Sequence, residues 1–362
     1  MIDQTAPEIA GRRYFEHLDV FVELCLELVE RGMPYMAVLL CHELFRFLYP
    51  VEPYAGFVND RDPVADAETR IQRLLDVGRS CLSAVTPYPL NFTDSGAEWR
   101  VAGELARTTS NLYSELWTDF DKTTLTEEAT RLVSARIPRS VIDERIKGRR
   151  VLDMGCGSGR YTLALAQLGA APAIGLDVQA KSFAAAAAYA TESGLHAEFQ
   201  EGDVLNLPFT DGSFDFVFCN GVIHHSASIS RGLSELARVL KPEGAAFLYL
   251  YAAGGIFWRT RVALRAVFKA IPLAYTKSVL AIIGMPSNRF FFCDTWYVPT
   301  ETHTTTEELH HLLDSAGFVY HKLPGRNAFD LDGVVESASI PGARLMWGDG
   351  EHRYLLERTR LR

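Results

Sequence analysis

The sequence predicts an α/β protein with a doubly wound, mainly parallel seven-stranded sheet, an N-terminal helical extension and a helical lid insertion. From about residue 150, short apolar strand patterns alternate with helical patterns, which is typical of a parallel sheet with helices on both faces. A glycine-rich turn joins the first of these strands to the next helix. The last two strand patterns resemble an antiparallel pair.

Composition and charge exclude several classes of protein. The chain has 362 residues, of which 48% are hydrophobic and 22% charged, so disordered, collagen-like and coiled-coil chains are excluded. Its net charge of −9 repels phosphate backbones, and we expect no nucleic-acid partner. The six cysteines form no C-x-x-C pair, and neither a secretory signal nor a long uncharged apolar run is found. We therefore expect a cytoplasmic protein without a membrane span.

The first 98 residues predict a separate helical domain. Apolar residues recur at helical spacing over 14–31, 35–48 and 64–85, with glycine and proline between these runs. No strand pattern or catalytic motif accompanies them. A packing cap or a dimerisation element is the expected role, and a homodimer is left open.

Residues 99–362 predict the sheet domain. Helical patterns at 99–118 and 126–146 lead into it. The predicted strands lie near residues 150–153, 172–176, 196–200, 214–219, 245–251, 317–323 and 352–359. The predicted helices between the first five strands lie at 159–168, 179–193 and 228–240.

The run VLDMGCGSGR at 151–160 carries the strongest functional signal. Its glycines let the backbone turn tightly beside a ligand, and the following helix directs its N-terminal N–H groups at that ligand. Asp177 ends the second strand, where a carboxylate can accept both ribose hydroxyls. The spacing differs from the G-x-G-x-x-G of a pyrophosphate site. Asp153 would repel a pyrophosphate but suits an ammonium group, which favours S-adenosylmethionine (SAM) over NAD.

With these motifs in order, the stretch from about residue 100 to the C-terminus resembles a class I SAM-dependent methyltransferase of the Rossmann-like, small-molecule type. The resemblance implies SAM as the cofactor. It places the methionine part on the glycine loop, the ribose on Asp177, the adenine at EGDVLNLPF and the sulfonium beside the end of the fourth strand. The implied cofactor-binding residues are Asp153, Gly155, Cys156, Gly157, Gly159, Asp177, Val178, Gly202, Asp203, Val204, Asn220 and Gly221.

Two segments outside the sheet are candidates for covering the site. The resemblance implies that the helical stretch with Tyr113 and Trp117 closes over SAM, since aromatic faces attract a sulfonium; ordinary helix packing is the alternative. The insertion at 254–299 begins with two glycines and is predicted to act as a lid. Trp296 and Tyr297, in its aromatic-rich loop, are the predicted substrate residues.

The same insertion carries a basic pattern. Arg261, Arg265 and Lys269 are four residues apart and share one helical face. A solvated face, an anchor for an acidic substrate and a membrane-surface contact through 256–283 are the alternatives.

Four residues are candidate catalytic groups. Methyl transfer needs a base only if the nucleophile must lose a proton. His224 and His225 follow the fourth strand, Tyr251 ends the fifth and His303 follows the insertion. If the histidine pair is extended, its rings point to opposite sides, and at most one faces the site. No pattern of metal ligands stands at the strand ends, so no metal is expected.

The predicted function is methyl transfer from SAM to a small-molecule acceptor, with secondary metabolism as one setting. Three alternatives stay open. One is a SAM-consuming enzyme that cyclises the aminocarboxypropyl chain and releases methylthioadenosine. Another is an RNA or protein methyltransferase, which the acidic balance disfavours. The last is a SAM-binding subunit without catalysis.

Overall fold

A computed structural model describes residues 11–48, 62–84, 122–180, 183–284, 289–323 and 342–358. The chain divides into two compact units, each assembled from three segments. The helical unit comprises residues 1–98, 253–298 and 327–350, and the sheet unit comprises 99–252, 299–326 and 351–362. Among the helices in the described ranges, none is both long and apolar enough to cross a bilayer.

The sheet unit contains one seven-stranded sheet. Its strands are β1 (Val151–Met154), β2 (Ala173–Asp177), β3 (Ala197–Glu201), β4 (Phe214–Asn220), β5 (Leu240–Tyr251), β6 (Phe318–Lys322) and β7 (Glu351–Arg358). Their order is β3-β2-β1-β4-β5-β7-β6. The first five strands are parallel, and β7 runs antiparallel to both β5 and β6. The predicted fold class and the predicted antiparallel pair are confirmed.

Burial explains why the central strands read as apolar runs. Every residue of β1 and β2 is buried, as expected for strands that are covered on both faces. The strand order reverses between β1 and β4, and in such sheets ligands bind in the crevice at the carboxyl ends of the strands at this point. The fold therefore places the glycine loop after β1 and the residues after β4 side by side.

Helices flank the sheet. They are α4 (Lys122–Arg136), α5 (Arg160–Gln167), α6 (Phe183–Glu192), α7 (Ile229–Val239) and α11 (Thr306–Ser315). The predicted helix over 126–146 is interrupted: after α4 come a short turn at Arg139–Val141 and a π-helical turn at Ile142–Ile146. Pro138 accounts for this break, because a proline disfavours helical geometry in the residue before it and has no backbone N–H to donate. The predicted helix at 99–118 lies outside the described residues.

The helical unit is built from seven helices within the described residues. They are α1 (Arg12–Glu30), α2 (Pro34–Leu48), α3 (Pro63–Ala84), α8 (Gly255–Phe268), α9 (Leu273–Ile282), α10 (Arg289–Tyr297) and α12 (Ala343–Trp347). The first three agree with the predicted helices to within two residues. α10 corrects the sequence prediction of an aromatic loop over 290–299.

The insertion belongs to the helical unit. The predicted division at residue 98 had instead placed the insertion in the sheet domain, as a lid. Phe257 of α8 and Phe292 of α10 each lie 5.6 Å from Phe45 of α2, measured between ring centroids. Burial of these apolar faces against each other favours the association of segments that are distant in sequence. The predicted role of these helices in dimerisation stays a prediction.

The hypothesis of a solvated basic face formed by Arg261, Arg265 and Lys269 is wrong for two of these three residues. Arg261 is 3% exposed and donates to the hydroxyl of Thr295 at 3.2 Å. Arg265 is half-buried and donates to the carbonyl of Val298. Of the three basic residues only Lys269 is exposed. A spacing of four residues fixes a shared helical direction, but the neighbouring helix decides whether that direction faces water.

Candidate active site

The glycine loop after β1 is held by backbone hydrogen bonds to β2. The N–H groups of Gly155 and Cys156 both donate to the carbonyl of Leu176, at 2.8 and 2.9 Å. Gly155, Gly157 and Gly159 all have positive φ, at 83°, 53° and 81°, a conformation that glycine adopts at little cost.

Two of these glycines differ in what surrounds them. A Cβ on Gly155 would lie 2.3 Å from Cγ1 of Val222, so this position needs glycine for packing. A Cβ on Gly157 would have no neighbouring atom of the described residues within 4 Å, so among these residues it would project into open space. The loop therefore leaves room beside Gly157, where the resemblance places the methionine part of SAM.

Asp177 faces the glycine loop from the end of β2. Its Oδ2 accepts the N–H of Gly157 at 2.9 Å, and its Oδ1 faces the N–H of Gln179 at 3.3 Å. The residue is 8% exposed. These bonds orient the carboxylate at the predicted ribose position.

Asp153 is a buried carboxyl group under the same loop. It is 2% exposed, and its Oδ2 accepts from the hydroxyl of Thr162 at 2.7 Å. Burial raises the pKa of Asp153 to about 7, and the nearby charge of Asp177 adds to this, while the Thr162 hydrogen bond opposes it. A cationic ligand group would favour the ionised form.

The turn after β3 holds the predicted adenine residues. The N–H of Gly202 donates to the carbonyl of Asp177 at 2.9 Å, which joins this turn to the end of β2. Asp203 is exposed, and its Oδ1 accepts the N–H of Leu205 at 2.8 Å. Val204 is 8% exposed. Asp203 thus caps a turn, and its carboxylate still reaches the surface.

Asn220 ends β4, and Gly221 follows with a φ of 75°. The Asn220 Oδ1 accepts from Nη1 of Arg136 at 2.7 Å. The same nitrogen lies 3.2 Å from the hydroxyl of Tyr161, and Arg136 is 6% exposed. Sequence analysis did not identify Arg136, because one arginine at the end of a helical pattern gives no signal for a contact 84 residues along the chain.

The histidine pair lies beside the end of β5. His224 and His225 form a 3₁₀ turn, not an extended stretch, and their rings lie 4.1 Å apart instead of pointing to opposite sides. The ring of His224 is fully buried and 3.9 Å from that of Tyr251. His225 Nδ1 lies 2.8 Å from the carbonyl of Thr300. Since a carbonyl only accepts, this nitrogen carries the proton, and the lone pair of the neutral ring is on Nε2.

His303 has acceptors on both ring nitrogens. Nδ1 lies 2.8 Å from the carbonyl of Ala252, and Nε2 lies 3.1 Å from a carboxylate oxygen of Glu301. Nδ1 must donate, so a proton also has to lie between Nε2 and Glu301. His303 is thereby less suited to be a base than the sequence indicated.

The remaining predicted residues are not brought to this cluster by the described contacts. Tyr113 and Trp117 lie outside the described residues. Trp296 stacks on Phe268 at 4.0 Å, and the hydroxyl of Tyr297 bonds to Thr276, all within the helical unit. Among the described residues, no group of three His, Cys, Asp or Glu side chains could hold a metal ion.

The open space at Gly157, the oriented carboxylate of Asp177 and the buried carboxyl of Asp153 together fit a nucleoside that carries a cationic amino acid. A family model described as a methyltransferase domain matches residues 152–248, which contain this whole arrangement. Residues 152–248 are thus a methyltransferase domain, in agreement with the resemblance to class I SAM-dependent methyltransferases. SAM is its cofactor, and the domain is that of a transferase.

Three curated relatives of this methyltransferase domain are themselves methyltransferases. The uncharacterised methyltransferase YcgJ of Bacillus subtilis is 38% identical over 96 residues, which cover 26% of this chain and 38% of YcgJ. Its crystal structure gives a TM-score of 0.40 at 20% identity, covering 64% of this chain and 99% of that one. A demethylmenaquinone methyltransferase of Chlorobaculum tepidum is 29% identical over 191 residues, which cover 52% of this chain and 72% of the relative.

A third relative is a 27-O-demethylrifamycin SV methyltransferase of Amycolatopsis mediterranei. It is 30% identical over 139 residues, or 37% of this chain and 48% of the relative. The methyltransferase domain thus matches less than half of YcgJ and of the rifamycin enzyme. The match to the family model runs from β1 through most of β5.

Proposed function

We propose that the protein transfers the methyl group of SAM to a small-molecule acceptor. The observation that carries the proposal is the cradle at Gly157, where open space adjoins the oriented carboxylate of Asp177 inside the matched domain. The similarity to a demethylmenaquinone methyltransferase and a 27-O-demethylrifamycin SV methyltransferase supports a small organic acceptor. We also propose a role in secondary metabolism and a cytoplasmic location.

The chain's residues have two general tasks in this reaction, to hold the cofactor and to exclude water. Bound SAM supplies an activated methyl group, so alignment and exclusion of water provide much of the acceleration. Asp153, Gly157 and Asp177 hold the cofactor. The buried side chains after β4 and β5 exclude water from the acceptor side.

Where the acceptor must lose a proton, His225 is the proposed base. Its Nδ1 is fixed by the Thr300 carbonyl, which places the lone pair on Nε2. His224 is fully buried, and both nitrogens of His303 face acceptors. The ring of Tyr251 lies against that of His224, with the two planes tilted by 37°, and we assign it to the wall of the acceptor site.

Mass spectrometry of the nucleoside product tests the proposal. The full chain is incubated with SAM, first alone and then with a panel of hydroxylated and aminated aromatic acceptors. S-adenosylhomocysteine that forms only with an acceptor, together with an acceptor heavier by one methylene, supports methyl transfer. Methylthioadenosine formed from SAM alone would instead establish cyclisation of the aminocarboxypropyl chain. His225→Gln should lower turnover at least tenfold without changing SAM affinity, whereas His303→Gln should not reproduce that pattern.

A further inference from the structure

A buried polar network joins β5 to β7 in the sheet unit. The hydroxyl of Tyr249 donates to Oε1 of Glu351 at 2.9 Å, and Arg353 forms an ion pair with Oε2 of the same carboxylate. The guanidinium of Arg353 lies 5.4 Å from the centre of the Tyr249 ring. Arg353 is 2% exposed and Tyr249 is 8% exposed. The side chain of Glu351 keeps 18% exposure.

The sheet register places this network next to the cofactor motifs. Asn220 at the end of β4 is paired with Tyr249, and Tyr249 is paired with Arg353. Because β7 is antiparallel, its first residue, Glu351, reaches the edge at which the parallel strands end, beside Tyr251. The predicted cofactor residues lie at the ends of β1, β2 and β4 and in the turn after β3, so an acceptor on the far side of Asn220 meets β5 and β7 next.

The ion pair between Arg353 and Glu351 is expected to contribute little to the stability of the folded protein. Removing an arginine and a glutamate from water costs about as much as their attraction returns, so buried ion pairs are weak contributors to folding. What the network does achieve is orientation, because both Glu351 oxygens are fixed by a donor from a strand. A carboxylate oxygen has two lone pairs, so an oxygen that accepts one hydrogen bond from the protein can accept a second from a ligand.

We propose that Glu351 is the acceptor-binding residue of the proposed methyltransferase, with Tyr249 and Arg353 as positioning residues. Its carboxylate accepts a hydrogen bond from an O–H or N–H group next to the atom that is methylated. The adjoining rings of Tyr251 and His224, 3.9 Å apart, favour a planar ring on that acceptor. The ligand class is therefore a planar small molecule that bears a hydroxyl or amino donor.

Calorimetry on the full chain tests this inference. S-adenosylhomocysteine binding is measured first, so that a failure of the proposed function is seen separately from a failure of the inference. The loaded protein is then titrated with catechol and with 1,2-dimethoxybenzene, which has the same ring without donors. Catechol should bind at least tenfold tighter than its dimethyl ether.

Glu351→Gln should remove most of that tenfold preference, while S-adenosylhomocysteine affinity stays unchanged. Glu357→Gln, the same substitution at an exposed position of β7, is the matched control and should change neither. If Glu351→Gln fails to fold, Tyr249→Phe decides, since it keeps the ion pair and should weaken catechol binding severalfold.

The inference is overturned if catechol does not bind the wild-type protein, or binds no better than its dimethyl ether. It is also overturned if the folded Glu351 or Tyr249 variant binds catechol as the wild type does. A lower melting temperature with unchanged catechol affinity would assign the network a structural role only.

Discussion

Gly155 and Gly157 share a left-handed conformation, but their substitution should have different consequences. Gly155→Ala brings a Cβ to 2.3 Å from Val222 and should cost about 2 kcal/mol or more of stability. Gly157→Ala meets no atom within 4 Å in the part of the chain that the structure describes, so a backbone cost of about 1 kcal/mol is expected. Its methyl group would enter the cradle and should weaken SAM binding at least tenfold. Melting curves and calorimetric titration with SAM separate the two effects; equal SAM affinity in Gly157→Ala would contradict the cradle.

Asp153 predicts a pH dependence of SAM binding. Its pKa is about 7 in the free protein, so the carboxyl is mostly neutral at pH 6 and mostly ionised at pH 8. The ammonium group of SAM favours the ionised form of Asp153. At a pH below 7, where this carboxyl is mostly protonated, SAM binding must therefore displace its proton. Affinity should be about tenfold weaker at pH 6 than at pH 8. Titrations at both pH values check this, and Asp153→Asn should bind SAM weakly with a flatter profile; an unchanged slope would assign the dependence elsewhere.

At the scale of single elements, the start of α11 offers a test of local stability. Thr305 accepts the N–H of Glu308 at 3.2 Å, and Oε2 of Glu308 accepts the N–H of Thr305 at 2.8 Å. The two bonds form a capping box at the first turn of α11. Thr305→Ala should destabilise the protein by about 1 kcal/mol, whereas Thr305→Ser keeps the oxygen and should cost a few tenths. Denaturant unfolding of both variants would refute the assignment if they were equally stable.

The end of α4 shows what an element contributes beyond its own stability. Arg136 is its last residue and reaches Asn220 and Tyr161 because Pro138 stops the helix just beyond it. The break therefore directs a buried cation to the end of β4. A continuous helix over 126–146, as the periodicity predicted, would have no such terminus at this position.

At the scale of the whole molecule, the two units are interleaved along the chain, which passes between them five times. Phe257 and Phe292 of the insertion pack against Phe45 of the N-terminal segment. Deleting residues 1–98 should thus expose these rings and give an aggregation-prone protein, not a trimmed methyltransferase. Soluble yield and binding of a hydrophobic dye measure this; a soluble variant with unchanged dye binding would contradict the shared helical core.

The sequence by itself determined the strands, most helices and the glycine loop with the acids beside it. These depend on short-range signals: apolar runs, helical spacing, glycines that need positive φ, and acids at the ends of successive strands. Asp153, Gly157 and Asp177 lie within 25 residues of one another, so a local motif brings them together.

Only the tertiary structure decided the surroundings of Glu351 and the grouping of the insertion. Tyr249 and Glu351 are 102 residues apart, and their contact depends on β7 entering the sheet antiparallel beside β5. Likewise Arg261 is buried because α10 covers it, although its spacing resembled a solvated face. A sequence gives the charge of a side chain, but the free energy of that charge depends on water and partners, which distant segments supply.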